Sequence, residues 1–208
     1  MLGAQHSVHD AWFTDWRRRE LTRVDESGVA YLDYTGAALY PASLVQLDAE
    51  RLLGSVLGNP HSEHAPSRAS SEDLGKARHA LLEFVGAEPD EYTVILTANT
   101  TGACRLVGES FPFGPGSVLL ISADNHNSVN GVREFAAKAG AAVRTIVLDE
   151  ELRLHDAEPA IDALPVAPSL FAFPAQSNFS GVRHSLELVD RARARGWRVL
   201  LDAASFLP

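Results

Sequence analysis

The chain has 208 residues, 46% hydrophobic and 22% charged, enough for one well-buried core or for a domain with part of a second. A net charge of −9 disfavours nucleic acid and anionic membrane as partners, and a single cysteine leaves no internal disulfide framework and favours a reducing compartment. No apolar stretch approaches the roughly 20 residues of a bilayer span, and the first residues lack a signal-peptide core, so a cytoplasmic location is expected.

The first element is predicted in AWFTDWRRRELTRV, where Trp12, Phe13 and Trp16 suggest a helix docked by its aromatics and Arg17, Arg18 and Arg19 a solvated face. In GNPHSEH, 58–64, the spacing of His61 and His64 is compatible with a metal, but no matching ligand cluster exists elsewhere and none is expected. SSEDLGKARHALLEFVG predicts a helix capped by Ser70 with Asp73, apolar along Leu74, Ala77, Leu81 and Val85, and stopped by Gly86.

Strand and helix signals then alternate. TVILT, 93–97, predicts a strand, and Ala103, Leu106, Val107 and Phe111 share a helical face after it. VLLIS, 118–122, precedes Val129, Val132 and Ala136 at helical spacing, closed by Gly140. AVRTIVL, 142–148, a proline-broken stretch, and LFAFP, 170–174, follow. A helix over 185–195 ends at Gly196 before WRVLLD, 197–202. Continuously apolar strands separated by helices predict an α/β fold with a mostly parallel sheet covered on both faces. Ligands of such sheets bind beyond the C-terminal strand ends.

Four strand ends carry polar residues. After 93–97, TANTTGA runs directly into a helix, so Thr100 and Thr101 suit a phosphate, or one of the threonines merely caps the helix. After 118–122, His126 stands between strand and helix, as a stacking ring or a capping histidine. After 170–174 come Gln176, Ser177 and Asn178; after 197–201 comes Asp202, either a ligand carboxylate or the cap of the next turn. Together these supply a phosphate cradle, an imidazole, an amide and a carboxylate, the donor set for a phosphorylated pyridine ring. Walker, G-x-G-x-x-G and G-x-S-x-G motifs are all absent.

The stretches YLDYTGAALYP, GNPHSEH, ILTANTTGA, DNHNSV, FPAQSNFSGVR and LLDAAS resemble the class V aminotransferase-like enzymes of pyridoxal phosphate fold type I. Within that family the similarity is greatest to the molybdenum cofactor sulfurases and their cysteine desulfurase relatives, over roughly residues 28 to 208. The resemblance implies the large domain of an aspartate aminotransferase-like fold over 46–208, preceded by an arm and helix over 1–45. It also implies pyridoxal 5′-phosphate as cofactor, an amino acid such as L-cysteine as substrate, and a homodimer for the intact enzyme. By the same resemblance Thr100 and Thr101 hold the phosphate, His126 stacks on the ring, Asn178 lies near the ring oxygen, Asp202 pairs with the ring nitrogen, and Ser205 lies by the phosphate. His126 and Asp202 are the expected catalytic side chains.

Asn99 and Gly102 depart from the family, which usually has glycine at the first position and, in many desulfurases, glutamate at the second. The Schiff-base lysine, the small domain and the mobile sulfur-accepting cysteine have no counterpart here. The only lysines are Lys76 and Lys138, both within helical patterns, and Cys104 reads as a core residue. The expectation is therefore an N-terminal portion of such an enzyme, truncated before its last strands and inactive alone. The alternative is a non-catalytic binding or heteromeric module of the same fold. Strand 93–97 is expected to lack its neighbour, leaving 199–201 at a sheet edge.

Overall fold

A computed structural model describes residues 3–154 and 157–207, which divide into two compact units, Met1–Ile95 and Leu96–Pro208. The first unit is helical: α1 (Gly3–Glu20), α2 (Thr22–Ser27), α3 (Ala42–Gly54) and α4 (Ala65–Val85). Of the aromatics of α1, Trp16 is half-buried, but the other two do not dock as expected. Trp12 and Phe13 are exposed and stack on Trp16 of the same helix, with ring centroids 6.4 and 5.9 Å away. The arginines are solvated, Arg17 on Asp25 and Arg18 and Arg19 near Asp15.

Helix α4 starts well before the expected capping pair. His64 is its N-cap, Pro66 sits in its first turn with φ already suited to a helix, and Ser70 Oγ bonds back to Pro66 O at 3.2 Å from inside the helix. The end is as predicted: Gly86, at φ 66°, donates its N–H to Glu83 O. The 58–64 loop folds over the start of α4. Gly58 N–H donates to Pro66 O at 3.0 Å, and a Cβ there would lie only 3.0 Å from Ser67 N.

The second unit carries a parallel sheet in the order β2-β1-β3-β4, from β1 (Val118–Ser122), β2 (Ala142–Ile146), β3 (Leu170–Pro174) and β4 (Arg198–Asp202). Its helices are α5 (Thr100–Ser110), α6 (Asn127–Asn130), α7 (Val132–Lys138), α8 (Ala157–Asp162) and α9 (Glu187–Ala194). Alternate strand residues feed two cores. Leu119, Ile121, Leu170 and Ala172 pack with Cys104, Val129, Val132 and Ala136 of α5 to α7. Leu120, Phe171 and Phe173 point the other way, onto Ile161 of α8, Ala192 of α9 and Trp197. Burial on both faces is why β1 and β3 read as unbroken apolar runs.

The edges differ from expectation. β2 ends at Ile146, and its other four residues are exposed because it has a neighbour on one side only. Beyond it, Leu148 bridges Leu154 in antiparallel fashion. Residues 93–97 do not form the predicted strand: they carry no ladder, and Ile95 and Leu96 are exposed. Without a partner for its N–H and C=O groups, a β-branched run stays irregular. β4 is the sheet's edge, as expected. The chain turns into β1, β2 and β4 through Gly116, Gly140 and Gly196, all left-handed at φ +87°, +82° and +86°. Among the described residues, no helix is long and apolar enough to cross a membrane.

Candidate functional site

The strand order reverses between β1 and β3, since β1 leads outward to β2 while β3 leads to β4 on the other side. A crevice is expected beyond the C-terminal ends of those two strands. A cavity of about 330 Å³ lies there, walled by Asp124, Asn125 and His126 after β1, Ser177, Asn178 and Phe179 after β3, and Leu148 and Leu152 after β2. The structure therefore brings His126 and Asn178 together. Thr100, Thr101, Asp202 and Ser205 belong to the same unit but do not line that cavity.

His126 is the N-cap of α6, and the alternative that it caps a helix is realised: its Nδ1 accepts the Ser128 N–H at 3.2 Å. The same Nδ1 lies 2.9 Å from Ser128 Oγ, which lies 2.7 Å from Thr101 Oγ1. Donor counting orients this chain. A nitrogen that accepts Ser128 N–H carries no proton, so Ser128 O–H donates to it and Thr101 O–H donates to Ser128 Oγ. The neutral imidazole then holds its proton on Nε2, the nitrogen that faces away from the cap. Thus the first turn of α5 and the imidazole after β1 are joined through one buried hydroxyl.

At the start of α5, Asn99 acts as the N-cap, which accounts for the first departure noted in the sequence; nothing in the structure explains Gly102. Its Oδ1 accepts the Gly102 N–H at 2.9 Å, and its carbonyl is held by Thr97 Oγ1 at 2.8 Å and by Ala103 N at 3.2 Å. The cap thus occupies one N–H that glycine at position 99 would leave open. The N–H groups of Thr100 and Thr101, first in the helix, have no acceptor within it and remain for an anion, as does the Thr100 hydroxyl.

Asn178 stands on a hairpin closed by Ser177 N to Val182 O at 2.9 Å and His184 N to Ala175 O at 3.0 Å. Arg183 Nε bonds Gln176 Oε1 at 2.9 Å across the same hairpin. Ala175 N in turn donates to Asp202 O at 2.8 Å, fixing the end of β4 beside it. Asp202 is half-buried, and its Oδ1 accepts the Ala204 N–H at 3.0 Å, so it does cap the following turn. Its Oδ2, the Asn178 amide and the Ser205 hydroxyl have no hydrogen-bond partner among the described residues. Cys104 is buried in the core; burial and then the Asp202 charge push its thiol up, away from a reactive thiolate.

Four residues of this region escaped the reading of the sequence: Ser128, Asp124, Asn125 and His184. Ser128 had a signal, a hydroxyl two positions after His126 in a capping pattern. Asn125 bridges β1 and β3, its Nδ2 donating to Ser122 O at 3.1 Å and Ala172 O at 3.0 Å. Asp124 Oδ2 accepts from His184 Nε2 at 2.8 Å, with both side chains almost fully buried, and a separation of 60 positions gives no sequence signal at all. Burial alone would push the Asp124 carboxyl up; the His184 hydrogen bond, the nearby Ser122 hydroxyl and the His184 charge outweigh it and hold the carboxyl below its ordinary range.

The sequence pattern of aminotransferase class V matches residues 30–208. The chain belongs to that family. This class V chain is 34% identical over 224 residues to the molybdenum cofactor sulfurase of Arabidopsis thaliana, covering 90% of itself and 27% of that protein. It is 35% identical over 208 residues to the Homo sapiens molybdenum cofactor sulfurase, covering 92% of itself and 23% of the relative. Its fold superposes on the apo structure of a cysteine desulfurase from Thermococcus onnurineus NA1 with a TM-score of 0.79 and 27% identity, covering 91% of this chain and 47% of that one. The class V chain thus spans about a quarter of those curated relatives and about half of the solved structure.

Proposed function

We propose that the second unit is the cofactor-holding part of a pyridoxal 5′-phosphate enzyme of the sulfurase or cysteine desulfurase type, acting on an amino acid such as L-cysteine. The observation that carries the reading is the Thr101–Ser128–His126 hydrogen-bond chain, which couples an anion-ready helix start to an imidazole at the crevice. The chemistry of the free donors fits the group. Thr100 and Thr101 offer their N–H groups and Thr100 its hydroxyl to a phosphate, Asn178 an amide to a ring oxygen, and Asp202 Oδ2 an acceptor to a protonated ring nitrogen. When bound, the cofactor's protonated pyridine ring takes up the electron pair released at the α-carbon of the amino acid.

This chain's own residues would bind, orient and tune. His126, its orientation fixed through Nδ1, would stack on the ring; Asp202 would hold the proton on the ring nitrogen; Ser205 would contact the phosphate. Lys76, exposed on α4 and paired with Asp73, and Lys138, exposed in the last turn of α7, both lie on helices and not at a strand end. The 208 residues alone are therefore proposed to bind the cofactor weakly, without a covalent bond, and to be inactive. Those lysine positions equally favour a second reading, a non-catalytic or heteromeric module whose lysine comes from another chain. The coding sequence past position 208 separates the two: an in-frame strand ending in lysine supports an enzyme, a stop codon the module. Homodimerisation and a cytoplasmic location remain part of the proposal, resting on the family resemblance and on cysteine usage.

The test is equilibrium titration of the chain with pyridoxal phosphate, followed by borohydride treatment and intact mass. Saturable binding, weakened at least tenfold by Asp202→Ala and by Thr100→Val/Thr101→Val, with no mass gain, is expected. Binding indifferent to those substitutions, or none at all, would overturn the reading.

A further inference from the structure

The Asp124–His184 pair belongs to no role so far described, yet it lies under both walls of the crevice. Asp124 is two positions before His126 and itself lines the cavity; His184 closes the hairpin that presents Asn178, six positions earlier. The 2.8 Å bond between Asp124 Oδ2 and His184 Nε2 links these two walls directly through side chains, with side-chain exposures of 4% and 2%. Packing alone does not explain it, because an apolar pair would fill the space without desolvating a carboxylate. The expense is greater still because Asp124 Oδ1 is buried without a hydrogen-bond partner. Ser122 Oγ and Asn125 Oδ1 share that condition, so the three such side-chain oxygens among the described residues all fall within 122–125. The Ser122 hydroxyl lies near enough to help hold the Asp124 carboxyl down, and among the described residues His184 is the side chain that hydrogen-bonds this carboxylate from the opposite wall.

We infer that Asp124 and His184 are positioning residues, a buried clamp that sets His126 against Asn178 across the crevice. The pair touches no ring itself; it fixes the spacing of the two side chains between which a planar heteroaromatic ligand would lie. The inference about the ligand rests on the proposed function, whereas the clamp is a property of the chain alone.

The experiment compares the wild-type chain with His184→Leu, His184→Gln and Asp124→Asn. Without cofactor, NMR follows the His126 ring and the Asn178 side-chain amide, with the Trp197 indole N–H on the opposite face, bonded to Ile161 O at 2.9 Å, as a control for global change. His184→Leu is expected to move the His126 and Asn178 signals and leave Trp197 in place; His184→Gln, which retains a donor of similar reach, is expected to restore them. With pyridoxal phosphate, affinity is expected to fall about tenfold for His184→Leu and to stay near wild type for His184→Gln, the scale seen when an orienting partner is lost. Unmoved His126 and Asn178 signals in His184→Leu, or equal damage in His184→Gln, overturn the clamp. Should His184→Leu not fold, Asp124→Asn replaces it, because it conserves shape but weakens the bond; its silence at His126 and Asn178 overturns the clamp equally. A wild-type chain that takes up no cofactor sinks the proposed function, while the two resonances still decide on the clamp.

Discussion

Replacing Ser128 by alanine cuts the chain between Thr101 and His126 at its centre. Ser128 Oγ makes two hydrogen bonds, at 2.7 and 2.9 Å, each contributing about 1 kcal/mol net in a neutral pair. Thr101 and His126 are both exposed, so water takes the place of the lost hydroxyl and no buried group is stranded. The expected loss is therefore roughly 1–2 kcal/mol, equivalent to about 3–6 °C in melting temperature for a chain of this size. Thr101→Val removes only the first bond, about 1 kcal/mol. The double variant is expected to lose no more than Ser128→Ala alone, since Thr101 has then nothing left to bond. Native-state hydrogen exchange of the β1 and β3 amides measures these losses in the second unit specifically. Losses that simply add, or a Ser128→Ala protein with wild-type exchange, would refute the coupling and the donor order derived from it.

Three further outcomes follow from single contacts. Asn99→Ala is expected to cost about 1 kcal/mol through loss of the 2.9 Å cap on Gly102, and Asn99→Gly only a few tenths, read from exchange of the α5 amides. At Gly108 a Cβ would sit 2.6 Å from Phe135 Cδ2, so Gly108→Val is expected to lose roughly 1–3 kcal/mol by overpacking α5 against α7, while Gly108→Ala comes nearer neutral as helix propensity offsets the push on the ring. The third concerns acid. Asp124 has a folded-state carboxyl below its unfolded value, so the unfolded chain binds more protons; the stabilisation is present above the ordinary 3.8 and is lost as pH falls through the depressed value. Asp124→Asn is expected to flatten that acid limb in denaturant titrations run from neutral pH downward, and an unchanged limb would contradict the assignment.

The layered core was legible because burial on both sides leaves an unmistakable trace: Leu119 to Ile121 and Leu170 to Phe173 are apolar without interruption, and glycines punctuate the turns between. Residues 93–97 looked the same and are not a strand, since β-branched composition states a capacity for pairing, while the pairing itself depends on a neighbour. The start of α4 was misplaced because Ser70 and Asp73 imitate a cap from within a helix that Pro66 had already begun. Residues close in sequence to a strand end could be placed by position: His126 and Asn178 line the cavity, whereas Asp202 ends β4 and does not. What makes the geometry hold was harder to see. Ser128 acts through a hydroxyl that any helix start might contain, and the Asp124–His184 bond joins two loops that only the completed sheet brings side by side.

The left-handed glycines 116, 140 and 196 all lie at the entry ends of their strands, while His126 and Asn178 follow the exits and Asp202 ends β4, so a five-residue strand of about 16 Å of extended chain separates the two rims. The sheet therefore separates two kinds of tolerance. Gly116, Gly140 and Gly196 at the entry rim answer to backbone geometry, and substitutions there stand a whole strand away from the donors opposite, provided the buried Ser117, Ser169 and Trp197 beside them are kept. Variation at the exit rim has no such freedom, because Asp124, Asn125 and Asp202 there hold the strand ends together through their own hydrogen bonds.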